Sequence, residues 1–332
     1  METAVRIQKR RKLKMEAQLQ CPSCLCADIL EKGQIPVPEI IDYYTDNGID
    51  VRYLFKGIDT LYRKECRECG LQFFRPIVLG DDHYYHCLQQ GDWYYLDDKP
   101  EYDYAARFIG PEDKVLDVGS GRGAFSRKLH CKFYQGLEFS ESAVELAAKD
   151  GINVIPELSD EHAKHKPGFY DVVASFQVLE HVSDAMGFLK SSIDCLRTGG
   201  KLIIAVPNCD SFIEWRKNFM NIPPHHQLLW TEKSLLKLAQ IHHLKVLDVN
   251  KERVSEVHRE SFYSALLLSI KDKISPSNRD VKVNFAPVAQ QSAPAHRDLS
   301  HRAADLLKVC FRAVKLHRFF AGHTITVVYE KQ

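Results

Sequence analysis

The sequence predicts an α/β protein built on a doubly wound, mostly parallel sheet, preceded by a small cysteine-rich module. Three observations carry this prediction. Short apolar strands alternate with helical stretches from residue 115 onward, a three-glycine turn follows the first of these strands, and a carboxylate closes the second. The expected strands are 115–118, 134–138, 154–155, 171–175, 201–206 and 244–249, with a closing apolar strand at 324–330.

The first strand reads Val-Leu-Asp-Val and runs into Gly119-Ser-Gly-Arg-Gly123. Glycines at 119, 121 and 123 allow turn conformations that a side chain forbids and let a ligand approach the main chain. The residues that follow, Ala-Phe-Ser-Arg-Lys-Leu, read as the first turns of a helix. A dinucleotide loop spaces its glycines G-x-G-x-x-G to seat a pyrophosphate on the helix N-terminus. Here the spacing is G-x-G-x-G, and Asp117 at the strand end repels a pyrophosphate and attracts a cation. S-adenosylmethionine lacks phosphate and carries a sulfonium and an ammonium, so it fits this loop. Glu138 ends the second strand, where doubly wound folds place the acid that accepts from ribose hydroxyls.

These residues resemble a class I S-adenosylmethionine-dependent methyltransferase. Asp117, Gly119, Ser120, Gly121, Gly123, Glu138 and Phe139 stand where that family has its first two binding motifs, and Glu157 stands where it has an acid near the adenine amino group. Gln177-Val-Leu-Glu-His181 resembles the family's "LEH" segment, which puts Phe176 and Gln177 beside the cofactor, while Glu180 reads as a structural or supporting residue. Arg197-Thr-Gly-Gly then resembles the family's turn into the fifth strand. The resemblance implies a Rossmann-like, seven-stranded sheet whose last strand inserts antiparallel.

The second informative pattern is Cys21-Pro-Ser-Cys24 with Cys66-Arg-Glu-Cys69. Each C-x-x-C knuckle can give two thiolates to one tetrahedral zinc, so Cys21, Cys24, Cys66 and Cys69 form a candidate structural Zn2+ site in a ribbon-like domain. The residues between the knuckles exceed the length of a compact ribbon, which predicts an elaborated hairpin or an inserted loop over 35–62. Cys26 is an alternate ligand, and Cys87, Cys131, Cys195, Cys209 and Cys310 read as small core hydrophobes. A zinc ribbon ahead of this domain resembles bacterial methyltransferases of sugar and surface-polysaccharide pathways.

The connector from His83 to Tyr104 is dense in aromatics. It reads either as a lid over cofactor and acceptor, with Tyr94, Tyr95 and Glu101 the contact residues, or as a packing helix that touches no ligand. The candidate general base lies in Asn221-Ile-Pro-Pro-His225-His226, with His226 favoured, His225 next and His181 in reserve. Methyl transfer is an in-line displacement in which positioning contributes most, leaving proton removal from the acceptor as the residual task. The competing reading makes these histidines structural, ahead of a helix whose capping signal is Thr231-Glu-Lys-Ser.

The resulting organisation is a basic tail (1–20), the zinc-ribbon domain (21–80), the aromatic connector (81–108) and the methyltransferase domain (109–332). An insertion at 252–322 holds helical stretches at 261–273 and 298–319 around a polar loop. A formal net charge of +1 over 332 residues gives no global field for nucleic acid or anionic membrane. No apolar run reaches the roughly 20 residues of a membrane span. Ten cysteines without a secretory signal fit a reducing, cytoplasmic setting. The expected acceptor is a small molecule, first of all a sugar or glycan-linked intermediate. RNA methylation, a small aromatic or quinone acceptor and a non-catalytic cofactor-binding scaffold are the competing functions.

Overall fold

The structure is a computed structural model and describes residues 19–89, 98–214, 218–256, 258–274 and 315–332. The chain divides into two compact units, one of residues 1–207, 219–250 and 326–332 and the other of residues 208–218 and 251–325. Tyr94, Tyr95, most of the basic tail and the centre of the 252–322 insertion lie outside the described residues.

The first unit opens with an antiparallel sheet. Strand β1 (Ile29–Pro36) pairs with β2 (Thr60–Cys66), and β2 with β3 (Gln72–Arg75). Helix α1 (Val37–Asp46) and a 3-10 turn at Arg52–Phe55 fill the β1–β2 connection, so the long gap between the knuckles is an elaborated hairpin. Pro36 precedes α1 with extended geometry, and Val37, Ile40, Tyr43 and Tyr44 form its buried face. Helices α2 (Asp82–Gln89) and α3 (Pro100–Ala106) follow.

The main sheet contains β4 (Lys114–Val118), β5 (Phe133–Leu137), β6 (Val154–Ile155), β7 (Tyr170–Phe176) and β8 (Leu196–Pro207). Its parallel pairs are β4–β5, β4–β7, β5–β6 and β7–β8. The connecting helices are α4 (Glu141–Lys149), α5 (Ser159–His165) and α6 (Ala185–Cys195). A two-residue strand β9 (Leu228–Leu229) then returns to pair with β3, giving the N-terminal sheet its fourth strand. Helix α7 (Glu232–Ile241) leads to β10 (Leu244–Arg253) and, after the insertion, β11 (Ala321–Lys331). The order β10-β11-β8-β7-β4-β5-β6 makes a mixed seven-stranded sheet with an antiparallel strand, as expected of a Rossmann-like methyltransferase fold. Tyr102, Val115, Phe125, Val172, Phe176 and Ile203 form a core on one face of this sheet.

Two local expectations are corrected. The segment after Gly123 is a five-residue 3-10 helix, Ala124–Lys128, that ends where Leu129 turns extended; it is not the start of an α-helix. Strand β8 begins at Leu196 and runs through the Arg197-Thr-Gly-Gly segment read as a turn, with a register shift against β7 between Tyr170 and Val172.

In the second unit, helix α8 (Arg259–Ile274) covers the helical stretch expected at 261–273. Phe262 packs on Phe212 and Phe320, and Tyr263 shares a hydrogen bond of 3.0 Å with His317 Nδ1. Of the second expected helix, only its end is described, as a 3-10 turn at Leu316–Phe319. No helix among the described residues is long and apolar enough to cross a membrane.

Candidate functional site

Asp117, Glu138 and the glycine turn meet at the C-terminal ends of β4 and β5, where a doubly wound sheet presents its ligand crevice. Gly119, Gly121 and Gly123 all take positive φ, at 74°, 54° and 73°. A Cβ at Gly119 would lie 2.4 Å from Val178 Cγ2 and one at Gly123 2.6 Å from Ile152 Cγ2, so these two glycines serve the packing of the loop as well as its turns. Ser120 donates its backbone N–H to Leu137 O at 3.0 Å and sits over Gly136.

The Glu138 carboxylate accepts from the backbone amides of Gly121 (2.9 Å), Phe139 (2.8 Å) and Ser140 (2.9 Å). Burial nevertheless raises its pKa. Asp117 is buried, accepts from Tyr134 Oη at Oδ2 (2.9 Å) and has no hydrogen-bond partner at Oδ1. Burial pushes its pKa up to about 7, against the lowering by the tyrosine hydrogen bond. An orphaned, buried carboxylate oxygen beside a second acid fixed by backbone amides fits a ligand that brings positive charge and hydroxyl donors, as S-adenosylmethionine does.

Beyond β7 the chain enters the Gln177–His181 turn, with Gln177 at φ 58°. The turn packs directly on the glycine loop through Val178 and Gly119. Gln177 Nε2 donates to Oε1 of Glu101, itself buried in α3, at 3.1 Å, and Phe176 belongs to the core. Glu157 follows β6, and its carboxylate is engaged by two histidines, His162 Nδ1 at 2.6 Å and His165 Nε2 at 2.9 Å.

The three candidate histidines converge although His181 lies 44 residues from His225. One ring nitrogen from each of His181, His225 and His226 lies within 4.8 Å of the others. The His225 and His226 rings stack at 4.5 Å, and His181 meets each edge-on at 4.8 Å. His181 Nδ1 is 2.7 Å from His225 O and 3.2 Å from Tyr85 Oη, while His226 Nδ1 is 2.8 Å from Asn221 Oδ1. Burial pulls the His181 pKa down to about 4 and that of His225 well below the ordinary imidazole value. Pairing of Gln72 and Phe73 with Leu229 and Leu228 ties this loop to the N-terminal sheet, reinforced by Gln227 Nε2 donating to Phe74 O at 2.6 Å.

Sulfur atoms of Cys21, Cys24, Cys66 and Cys69 also cluster within 4.8 Å, with Cys21–Cys69 and Cys24–Cys66 both at 3.5 Å. Four thiols at these separations are a donor set suited to a tetrahedral zinc ion. Burial raises the Cys66 pKa to about 12; that of Cys69 is raised first by its hydrogen bond to Cys21 and then by burial. Cys26 stands outside the cluster and its sulfur accepts from Asp28 N. Cys87 and Cys131 are half-buried, unlike the core positions expected of them, while Cys195 and Cys209 are buried. Cys310 lies outside the described residues.

Residues 93–249 match the model of a family described as a methyltransferase domain. The match covers just under half of the chain. Similar proteins include a ubiquinone biosynthesis O-methyltransferase of Shewanella sp. (strain ANA-3), 30% identical over 111 residues, which are 30% of this chain and 47% of that protein. A protein of the same description from Pectobacterium carotovorum subsp. carotovorum (strain PC1) is 28% identical over 103 residues, 29% of this chain and 43% of that one. The chain spans less than half the length of these curated relatives. Among solved structures, a SAM-dependent methyltransferase from Archaeoglobus fulgidus aligns with a TM-score of 0.46 at 14% identity, covering 74% of this chain and 100% of that chain.

Sequence reasoning gave no site role to Tyr85 and undervalued Glu180. Tyr85 packs on Phe139, 6.4 Å between ring centroids, and reaches His181, so it bridges the glycine-loop side and the histidines. Glu180 is 1% exposed and neither of its carboxylate oxygens has a hydrogen-bond partner; burial pushes its pKa up to about 8. Only the acid's place between an apolar Leu179 and a histidine hinted at this.

Proposed function

We propose that the chain transfers the methyl group of S-adenosylmethionine to a hydroxyl of a small-molecule acceptor. The observation that carries this reading is the junction of Gly119 with Val178, which places the glycine loop and its two acids directly against the turn that bears His181. Asp117 would hold the cofactor's cationic end and Glu138 its ribose hydroxyls, with Gln177 and Phe139 alongside. When bound, the cofactor supplies a methyl carbon made electrophilic by the positively charged sulfur. The acceptor hydroxyl then sits against the histidine cluster, and in the simplest form of the mechanism an imidazole there takes its proton, His226 first. Desolvation favours the neutral forms of His181 and His225, which limits competing positive charge in the cluster, and Tyr85 packs against His181. In the N-terminal sheet the four cysteines hold a structural zinc ion that braces β3 and, through β9, the histidine loop.

A glycan-pathway intermediate remains the first acceptor class, on the resemblance of the knuckle-plus-domain arrangement. An aromatic hydroxyl is the second, favoured by the relatives named for ubiquinone biosynthesis. Calorimetry with S-adenosylmethionine, followed by transfer of labelled methyl to a sugar-nucleotide panel and a catechol panel, tests the proposal. Binding with transfer to one panel supports it and selects the acceptor. Absence of cofactor binding overturns it, and binding without transfer to any hydroxyl leaves a cofactor-binding scaffold in its place.

A further inference from the structure

Two imidazoles of the histidine cluster, those of His181 and His226, each have one nitrogen turned to an oxygen. His181 Nδ1 faces the His225 carbonyl at 2.7 Å, and His226 Nδ1 faces Asn221 Oδ1 at 2.8 Å. A carbonyl oxygen accepts only, so each Nδ1 carries the proton and each Nε2 presents a lone pair. The Nε2 of His181 is directed toward Oε1 of Glu180 at 3.8 Å. That separation is too long for a hydrogen bond. Glu180 has no other partner on either oxygen. The stacked and edge-on rings bring one ligand atom from each imidazole within 4.8 Å of the others.

We propose that His181, His225 and His226 bind a divalent first-row transition-metal ion, with Glu180 supplying compensating negative charge. Three neutral imidazoles, two of them oriented through Nδ1 by an oxygen, are a donor set that suits zinc and its neighbours and leaves a coordination position open. Metal–nitrogen bonds of about 2.1 Å place neighbouring donors roughly 3 to 3.5 Å apart, so closing the cluster on an ion needs side-chain shifts on the order of 1 Å. An acid beside the ligands can ionise when the ion binds, which reduces the cost of bringing a dication into a largely buried site. The presence of the ion stands independently of the proposed function; what the ion does rests on that reading. At the open position it takes an acceptor oxygen and favours loss of the hydroxyl proton to water, replacing proton acceptance by an imidazole. The C–O bond then forms as the C–S bond breaks, with its electron pair returning to sulfur.

Metal content of the full-length protein, reconstituted with Zn2+ and separately with Co2+, tests the inference in the wild type, His225→Ala, His226→Ala, Glu180→Gln and the double variant Cys66→Ser/Cys69→Ser. The expected wild-type content is about two ions per chain, one in each cluster. His225→Ala and His226→Ala lose one ion and keep the sulfur-to-cobalt charge-transfer absorption of the thiolate site. Glu180→Gln binds the histidine-site ion at least about 10-fold more weakly, and the cysteine variant keeps that ion. Calorimetry with S-adenosylmethionine on the same samples monitors the fold. The inference is overturned if all wild-type metal disappears with Cys66 and Cys69, or if the histidine substitutions leave metal content and affinity unchanged. In either case retained cofactor binding leaves the methyl-transfer reading intact, whereas wild-type protein that binds metal but no cofactor overturns that reading alone.

Discussion

Glu138 and Glu180 are buried acids that follow β5 and β7, the two strands flanking β4, yet their surroundings are opposite. Glu138 accepts three backbone amides, two of them from the residues that follow it. Glu180 accepts none, and its nearest recorded polar neighbour is an imidazole nitrogen 3.8 Å away. The first acid is a finished, rigid acceptor whose charge is stabilised by its own backbone. The second keeps its lone pairs for something outside the chain. On the proposed reading, the strand ends on either side of β4 divide the crevice into a side for hydroxyl donors and a side for positive charge.

The strongest test of this division is cofactor affinity. Glu138→Ala removes an acceptor that also organises Gly121, Phe139 and Ser140, and it should weaken S-adenosylmethionine binding by about 100-fold, or roughly 3 kcal/mol. Glu180→Gln should change the same affinity by less than about 2-fold. Calorimetry on both variants checks the pair, and an equal loss in both would erase the distinction between the two sides.

The next effect concerns the joint between them. Gly119→Ala forces a Cβ to 2.4 Å from Val178 at a positive φ, whereas Gly151→Ala adds a Cβ at φ 70° with nothing within 4 Å. Both pay the left-handed backbone penalty of about 1 kcal/mol, but only the first adds a clash costing about 1–3 kcal/mol more. Denaturant unfolding of the two variants isolates the packing contribution. Equal destabilisation would mean that Val178 gives way and that the joint is soft.

Asp117 lies between the two acids and gives a pH signature. Its folded pKa is raised to about 7 from 3.8, so the folded state holds this proton more tightly than the unfolded chain does. Stability from this group is therefore present below the unfolded value and is lost as pH rises through the folded one. Asp117→Asn should gain stability relative to the wild type as pH rises from about 4 to 7 and gain no more above that. If Asp117 meets the cofactor's positive charge as an anion, wild-type affinity should rise by up to about 10-fold per pH unit below 7 and level off above it. Affinity in the Asn variant should be flat, and a matching slope there would remove Asp117 from the cofactor's cationic end. Calorimetry across this range reads both.

The glycine-loop side was legible because its chemistry is local. Asp117, the three glycines and Glu138 lie within 22 consecutive residues, and two of the amides held by Glu138 belong to the next two residues. The histidine side depends on a contact across 44 residues and on β3–β9 pairing across more than 150, distances at which spacing in a sequence carries no information. Candidate histidines were readable as residue types, but their mutual approach was not. Glu180 was undervalued for the same reason: whether an acid finds a partner is decided by distant elements packed over it. The 3-10 turn after Gly123 escaped because five residues of helical composition do not fix where a helix stops.

The smallest effect tests how firmly the histidine loop is held at its exit. Thr231 closes that loop and begins α7 with a capping box, its side chain accepting from Ser234 N at 3.2 Å while Ser234 Oγ accepts from Thr231 N at 2.8 Å. Thr231→Ala removes one half of this exchange and should cost about 1 kcal/mol, a fall in Tm of roughly 2–4 °C for a domain of this size. Between the histidines and this cap the chain is separately secured by Gln227, whose backbone and side chain donate to Glu180 O and Phe74 O. With that anchor intact, cofactor affinity and the metal affinity of the histidine cluster should stay within about 2-fold of wild type. A larger drop in metal affinity with unchanged cofactor binding would mean that the α7 cap positions His225 and His226. The geometry of the cation side would then depend on the helix that follows it as well as on the strands that precede it.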